Sequence, residues 1–340
     1  MGAARRAVVG IVDSVHNRYV DAPHIESEVL GELADVEHVL VESTDGLGAR
    51  LARYDALISW HTVPLDREAL AALDRCVGIV RAAVGFDNID IGFAAERGIP
   101  VANVPDYGTE EVADHTLALV LALTRRLFPA NRQAQEGNWD WRVVGPVRRL
   151  RGMRLGVVGM GRIGTAVARR AQAFGFDCAF HDPYQPVGLE KALGVRRHHD
   201  LDALAAESDV ISLHVPLTHE THHLVSKRLL DRVKPGVVLV NTSRGAVVDG
   251  AALNEALADG RVGAAGLDVL EGEPDVDPAL RAAPHVVMTA HSAFYAVESL
   301  AELRRSAALA AARYLRGEPE PRTVNGVASG AKTVADRFGG

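Results

Sequence analysis

Arg244, Glu273 and His291 carry side chains that together suit one reaction. Each falls just after a stretch that reads as a buried strand: Asn241-Thr242-Ser243-Arg244-Gly245, Leu267-Asp268-Val269-Leu270-Glu271-Gly272-Glu273, and Thr289-Ala290-His291-Ser292. A planar guanidinium can hold a carboxylate through two parallel hydrogen bonds. An imidazole can give a proton to a carbonyl oxygen, and a nearby carboxylate keeps that donor protonated. Reduction of a 2-keto acid by hydride transfer needs these three groups. Taken singly, each has a plainer reading: an arginine in a surface ion pair, a histidine satisfied in a core or at a cap.

A source of hydride is written elsewhere in the chain. Arg154-Leu155-Gly156-Val157-Val158 reads as an apolar strand running into Gly159-Met160-Gly161-Arg162-Ile163-Gly164, which opens a helix through Ala173. In such a turn the first glycine permits the sharp bend and the second lets backbone approach a pyrophosphate. The third allows close helix–strand packing, and the helix N-terminus faces the phosphates. A glycine-rich turn alone is a weak signal. This one has a strand before it, a helix after it, and an acid, Asp182, at the end of the next strand, 18 residues beyond Gly164. That context predicts a dinucleotide site with Asp182 on the adenine ribose.

The elements that must position these residues alternate. Short apolar strands are expected over 7–12, 38–42, 55–60, 78–84 and 101–104, with helices over 25–33, 67–73 and 91–97 between them. Near residue 107 the character changes. Thr109 reads as an N-cap, followed by a helix over 112–127 that is apolar almost all round. That helix is expected to cross between domains or to be buried in a dimer. The segment 137–151, with Trp139, Trp141 and several arginines, reads as an arm that packs on a second subunit. A second alternation follows: strands over 177–181, 210–214, 237–241, 263–269 and 286–289, helices over 201–207 and 250–259, and a long amphipathic last helix over 296–315. The tail beyond Asn325 lacks pattern and is expected to be loose. Alternating strands and helices make the class α/β. Two doubly wound parallel-sheet domains are expected: a Rossmann NAD-binding domain, 108–297, inserted in a flavodoxin-like substrate domain made of 1–107 and 298–340.

The chain has 340 residues, 48% of them hydrophobic and 24% charged, enough for two cores. Its net charge of −7, without a basic block, argues against direct nucleic-acid binding. No apolar run is long enough for a membrane span or signal segment. Two distant cysteines, Cys76 and Cys178, suit a reducing cytoplasm better than a disulfide framework.

From about residue 8 to 325 the chain resembles the D-isomer-specific 2-hydroxyacid dehydrogenase family. The likeness rests on 157–164, on Leu213-His214-Val215-Pro216-Leu217-Thr218, on Val240-Asn241-Thr242-Ser243-Arg244-Gly245, and on Leu267-Asp268-Val269 with Glu273-Pro274. It implies NAD as cofactor and a small 2-keto or 2-hydroxy acid as substrate. By this likeness Arg244 anchors the substrate, Glu273 partners the histidine, and His291 is the acid/base. Cofactor contacts are implied at Thr109, near the phosphates, and at Gly159, Gly161, Arg162, Ile163, Gly164, Asp182, His214, Val215, Pro216, Thr242 and Ser243. Asp268 would sit near the nicotinamide carboxamide. Val84 and Gly85 would offer backbone N–H groups to the substrate carboxylate, with His61, Arg81 and Phe294 also on the substrate side.

Within the family the residues are most like the C-terminal binding protein branch, whose members are known as dehydrogenases and as co-repressors. Ser59-Trp60-His61-Thr62, Gly85-Phe86-Asp87-Asn88, Asp182-Pro183-Tyr184, His222-His223-Leu224 and Ala293-Phe294-Tyr295 carry that likeness. Two positions depart: Ala290 stands where the family has proline before the histidine, and Phe294 where the branch has tryptophan. Glu273 rather than glutamine argues against a formate dehydrogenase, and Val84 rather than lysine against a phosphite dehydrogenase. A co-repressor-like, NAD(H)-sensing binding module is the alternative to an enzyme, and a phosphorylated or phosphonate-bearing keto acid is an alternative substrate. The stretch His219-Glu220-Thr221-His222-His223 invites a metal reading, but its place between a strand and a helix start, and a family without a metal, argue against one. A homodimer is expected.

Overall fold

The computed structural model describes residues 5–328, so the last part of the tail, from 329, lies outside the described residues. The chain divides into two compact units, one comprising Met1–Tyr107 and the stretch from Ala296 onward, the other Gly108–Tyr295.

The first unit is built on five parallel strands: β1 (Ala7–Ser14), β2 (Ala34–Val41), β3 (Ala56–Ser59), β4 (Ile79–Arg81) and β5 (Val101–Asn103). Their order, β2-β1-β3-β4-β5, is the flavodoxin-type winding. Parallel strands covered on both faces need nearly continuous apolar sequence. Accordingly Val9, Ile11, Leu57, Ile58, Ile79, Val80 and Val101 are all buried. The last helix, Val297–Arg316, packs against β3, β4 and the helix His24–Leu30. Its approach is so close that a Cβ on Gly78 would lie 2.2 Å from the Tyr314 ring. On the same helix Arg304, buried, donates to both oxygens of buried Glu26 at 2.8 and 2.6 Å and to the Ala22 carbonyl at 2.7 Å. The short helix Leu47–Leu51 was not anticipated; it is entered through Gly46 in the left-handed region, φ 63°.

The second unit carries seven parallel strands: β6 (Arg154–Val158), β7 (Asp177–His181), β8 (Arg196–Arg197), β9 (Val210–Leu213), β10 (Val237–Asn241), β11 (Val262–Leu267) and β12 (Val286–Met288). The order β12-β11-β10-β9-β6-β7-β8 is the Rossmann winding with one added edge strand.

Two expectations about its first helix are corrected. The helix spans Thr109–Thr124 with Gly108 at the N-cap and no side-chain capping bond, so Thr109 is its first helical residue and not its cap. Its apolar faces are covered by its own unit, against the helix Arg162–Ala173, β10 and β11. Gly266 in β11 makes room, since a Cβ there would meet Leu123 at 3.0 Å and Leu119 at 3.2 Å. The chain then turns at Arg126, φ 54°, into a separate helix Leu127–Gln135 and a 3-10 turn Trp141–Val144. Within this arm Trp139 and Trp141 are 90% and 82% exposed.

Candidate active site

Asn241, buried at the end of β10, shapes the turn that presents Arg244. Its carboxamide oxygen accepts from the Ser243 amide at 3.0 Å and the Ser243 hydroxyl at 2.8 Å, while its Nδ2 donates to the Arg244 carbonyl at 2.9 Å. Gly245 follows because no side chain fits: a Cβ would lie 2.0 Å from the Leu270 carbonyl carbon. The turn after β10 is thereby pressed against the loop after β11, which carries Glu273.

Glu273 accepts from the Leu270 amide through Oε2 at 3.0 Å and pairs through Oε1 with Nδ1 of His291 at 2.5 Å. Burial raises its carboxyl pKa. The hydrogen bond and charge of His291 outweigh that, helped by Leu270 and by the charge of Arg244, so the group lies below the ordinary carboxylate range. The His291 ring is thus fixed through Nδ1 by Glu273.

His291 itself stands at φ 50°, a conformation that costs a non-glycine residue energy and needs its surroundings to impose it. Asp268 does so. Its side chain is 2% exposed, and it accepts from the Thr289 hydroxyl at 2.5 Å, the Ser292 amide at 2.9 Å and the Ala293 amide at 3.0 Å. The His291 amide donates to the Asp268 carbonyl at 2.8 Å, and His115 bonds the Thr289 hydroxyl at 3.0 Å. Sequence reasoning missed this clamp, giving Asp268 only a cofactor contact and His115 and Thr289 no part.

The glycine turn has the features its spacing predicts. Gly159 sits at φ 90°, and a Cβ on Gly164 would lie 2.1 Å from the Gly159 carbonyl oxygen. Around Gly161 nothing lies within 4 Å of such an atom. The helix Arg162–Ala173 begins there with Gly161 as its N-cap, which has no side chain to accept from the first amides. Asp182 is tied to the same turn, accepting from the Met160 amide at 2.8 Å and the Tyr184 amide at 2.9 Å. Open space at a helix N-terminus, bounded by close-packed glycines and an acid, fits a dinucleotide.

Next to the turn, the His214 carbonyl would lie 2.6 Å from a Cβ on Gly159, which explains that glycine too. Burial pushes the His214 imidazole down to about 3, and its Nε2 bonds the Ser212 hydroxyl at 2.8 Å. Val215 is half-buried and Pro216 exposed beyond it. Thr242 is buried, its hydroxyl 2.8 Å from that of Thr116. Phe294 is half-buried, its Cβ 3.6 Å from where a Cβ on Gly108 would stand.

In the first unit, Arg81 is 2% exposed. Its Nε donates to Asn88 Oδ1 at 2.7 Å and its Nη1 to the Ala82 carbonyl at 3.1 Å, while Asn88 Nδ2 reaches the carbonyls of Trp60 and Val63. Arg81 thus braces the loop that carries Val84 and Gly85. His61 Nε2 lies 3.1 Å from the Tyr19 hydroxyl, and Tyr19 stacks on Trp60 at 4.8 Å. Tyr19 was not singled out in the sequence. One further convergence escaped it: His222 and His223, after β9, meet Glu271, whose side chain lies 48 residues further along the chain from His223.

Residues 117–293 match the D-isomer specific 2-hydroxyacid dehydrogenase family, NAD binding domain. A glyoxylate reductase of Korarchaeum cryptofilum is 43% identical over 284 residues, 81% of this chain and 84% of the relative. D-Lactate dehydrogenase of Aquifex aeolicus, solved with NAD and lactic acid, superposes with a TM-score of 0.82 at 31% identity, covering 92% of this chain and 96% of that one. The NADPH-dependent glyoxylate/hydroxypyruvate reductase of Sinorhizobium meliloti, solved with NADP and malonate, gives 0.82 at 31% identity over 96% and 99%. This chain belongs to the D-isomer-specific 2-hydroxyacid dehydrogenase family. It is an oxidoreductase with an NAD-binding domain of the Rossmann type.

Proposed function

We propose that the protein interconverts a small 2-keto acid and the corresponding D-2-hydroxy acid, with Arg244, Glu273 and His291 as its catalytic set. The observation that carries this reading is the 2.5 Å pair between His291 Nδ1 and Glu273 Oε1, in the chemical neighbourhood of Arg244. A nicotinamide cofactor, when bound at the glycine turn, would supply or accept the hydride. Arg244 holds the substrate carboxylate in a bidentate grip. His291 Nε2 gives its proton to the carbonyl oxygen in reduction and takes it back in oxidation, while ionised Glu273 stabilises the imidazolium. Val84 and Gly85 offer backbone N–H groups to the carboxylate, with His61, Arg81 and Phe294 shaping substrate choice.

Cofactor contacts come from the glycine turn, Arg162, Ile163, Asp182, Thr109, His214, Val215, Pro216, Thr242, Ser243 and Asp268. We propose NADH in preference to NADPH, because the Asp182 carboxylate repels a 2′-phosphate. The neighbouring Arg197 offers no counter-charge: it pairs with Glu190, bonds three backbone carbonyls and lies over the Phe180 ring. The named relatives are reductases and dehydrogenases, which favours the enzyme over the NAD(H)-sensing binding module. The likeness to the C-terminal binding protein branch rests on the residues quoted for it.

The test is oxidation of NADH, and separately of NADPH, with glyoxylate, hydroxypyruvate, pyruvate and 2-oxobutyrate. Turnover on at least one, with NADH favoured, supports the proposal; no turnover on any substrate with either cofactor overturns it.

We further propose a homodimer formed through the arm that exposes Leu127, Phe128, Trp139, Trp141 and Val143. Light scattering that returns the chain mass of 36.3 kDa at micromolar concentration would count against it. No helix among the described residues is long and apolar enough to cross a membrane. Two buried free thiols, that of Cys178 pushed up to about 12 by burial, support work in a reducing cytoplasm.

A further inference from the structure

We infer that His222, His223 and Glu271 form a binding site for a borderline divalent transition metal, of which zinc is the type. The three side chains come from two loops. His222 and His223 follow β9 and the turn at Thr218, while Glu271 lies in the loop after β11. One ligand atom from each falls within 4.8 Å of the others. His223 Nε2 stands 2.9 Å from both carboxylate oxygens of Glu271, and His222 Nε2 is 3.8 Å from Oε1. The two imidazoles are stacked, centroids 4.0 Å apart and 29° from parallel, so both present nitrogen toward the same carboxylate.

A second observation sets this apart from a chance surface cluster. His223 is one of three non-glycine residues with positive φ among those described, at φ 50°. Such a conformation carries a cost that its neighbours must cover. Here the His223 amide donates to the Ala246 carbonyl at 2.8 Å, and two residues on Val225 forms an isolated bridge with Val248. The backbone is held in the one turn that brings adjacent histidines to a single acid.

The donor set decides the ion. Two imidazole nitrogens and one carboxylate suit zinc, cobalt, nickel or copper, whereas magnesium and calcium favour all-oxygen sites. Zinc lies about 2.0–2.2 Å from such ligands. Donor atoms at that distance around a tetrahedral ion lie about 3.4 Å from one another, between the 2.9 and 3.8 Å spacings found here. The histidines and the acid are partly exposed, at 54%, 35% and 39% of their side-chain surface, which leaves solvent to complete a tetrahedron. Three protein ligands on an open surface imply micromolar rather than structural affinity. None of the three belongs to the catalytic set, so this inference is independent of the reaction proposed above. Glu271 is nonetheless two residues before Glu273, and an ion fixed there tethers the loop that carries it.

The experiment uses the untagged full-length protein. Zinc is titrated in competition with a chromogenic chelator, and cobalt is added separately to record its ligand-field absorption. One equivalent bound at micromolar concentration, with an intense visible cobalt band typical of four-coordination, is expected. His222→Asn and Glu271→Gln should each weaken binding by roughly tenfold or more, equivalent to about 1.4 kcal/mol. Circular dichroism and NADH binding check that both variants are folded. His223 is left in place because its backbone is strained. Absence of a stoichiometric equivalent in the wild type overturns the site. So does undiminished binding in both folded variants, which would put the metal on other histidines.

Discussion

At the scale of the residue, the acid/base role proposed for the pair His291–Glu273 predicts a pH behaviour. His291→Ala should lower kcat for reduction by roughly 100- to 10,000-fold, the usual contribution of a positioned acid/base. Glu273→Gln removes the negative charge that favours imidazolium while keeping much of the shape. The falling limb of the reduction profile should then move to lower pH, as kcat/KM measured from pH 5 to 9 would reveal. An unmoved limb means that Glu273 does not hold the proton. The sign of the stability effect is the reverse of that for a histidine. Because the Glu273 pKa is depressed in the folded protein, its contribution is present above the ordinary carboxylate value of 4.5 and is lost as pH falls through the lower folded one. Asp268→Asn leaves one oxygen where two accept three donors, so thermal unfolding should occur earlier, by about 1.5–3 kcal/mol for a buried charge-assisted bond. It should lower kcat as well, because the same clamp imposes the backbone conformation of His291.

At the scale of the element, the glycine turn separates packing from recognition. Gly164→Ala places a Cβ 2.1 Å from the Gly159 carbonyl oxygen, so helix and strand must move apart. A stability loss on the order of 1–3 kcal/mol should accompany its loss of NADH binding. Gly161→Ala meets no protein atom within 4 Å. Its stability should stay within about 0.5 kcal/mol of wild type, while NADH binding weakens about tenfold or more. Equal effects of the two substitutions on the melting curve would mean that the glycines share one role.

The same turn shows what a sequence can disclose. Strand, glycines, helix and acid are consecutive or nearly so, and each leaves a local mark. Arg244, Glu273 and His291 could be singled out for a similar reason, since each follows an apolar run that ends abruptly in polar residues. The clamp at Asp268 and the meeting of His223 with Glu271 were not readable, because they join loops that only the strand order β12-β11-β10-β9 brings side by side. The helix Thr109–Thr124 was misjudged on its surroundings. Its apolar circumference was visible, but not the cover supplied by β10, β11 and a neighbouring helix. The break at Arg126 has no glycine to announce it, and its one signal, Pro129 three residues on, went unread.

At the scale of the whole molecule, the first unit depends on a segment that arrives late in the chain. Arg304 and Glu26 are separated by 278 residues and are 8% and 1% exposed. Arg304→Ala leaves a buried carboxylate without its partner and should destabilise the protein by about 3–5 kcal/mol. Replacing both by leucine should restore much of that loss, because neither charge then remains to be desolvated. Urea denaturation followed by tryptophan fluorescence would measure both, and a double variant no better than the single one would contradict the argument.

The long last helix that rests on Gly78 has a consequence for how the protein is made. The five strands of the first unit leave the ribosome well before Val297–Arg316 is synthesised, because all of Gly108–Tyr295 comes between them. At 5–20 residues per second that interval is roughly 10 to 40 s. Throughout it the nascent chain carries a sheet whose face awaits its cover, while the nucleotide-binding unit behind it is complete enough to fold. The unit begun first is therefore finished last, and a chain cut short just after Tyr295 should leave one face of its first sheet without the helix that covers it.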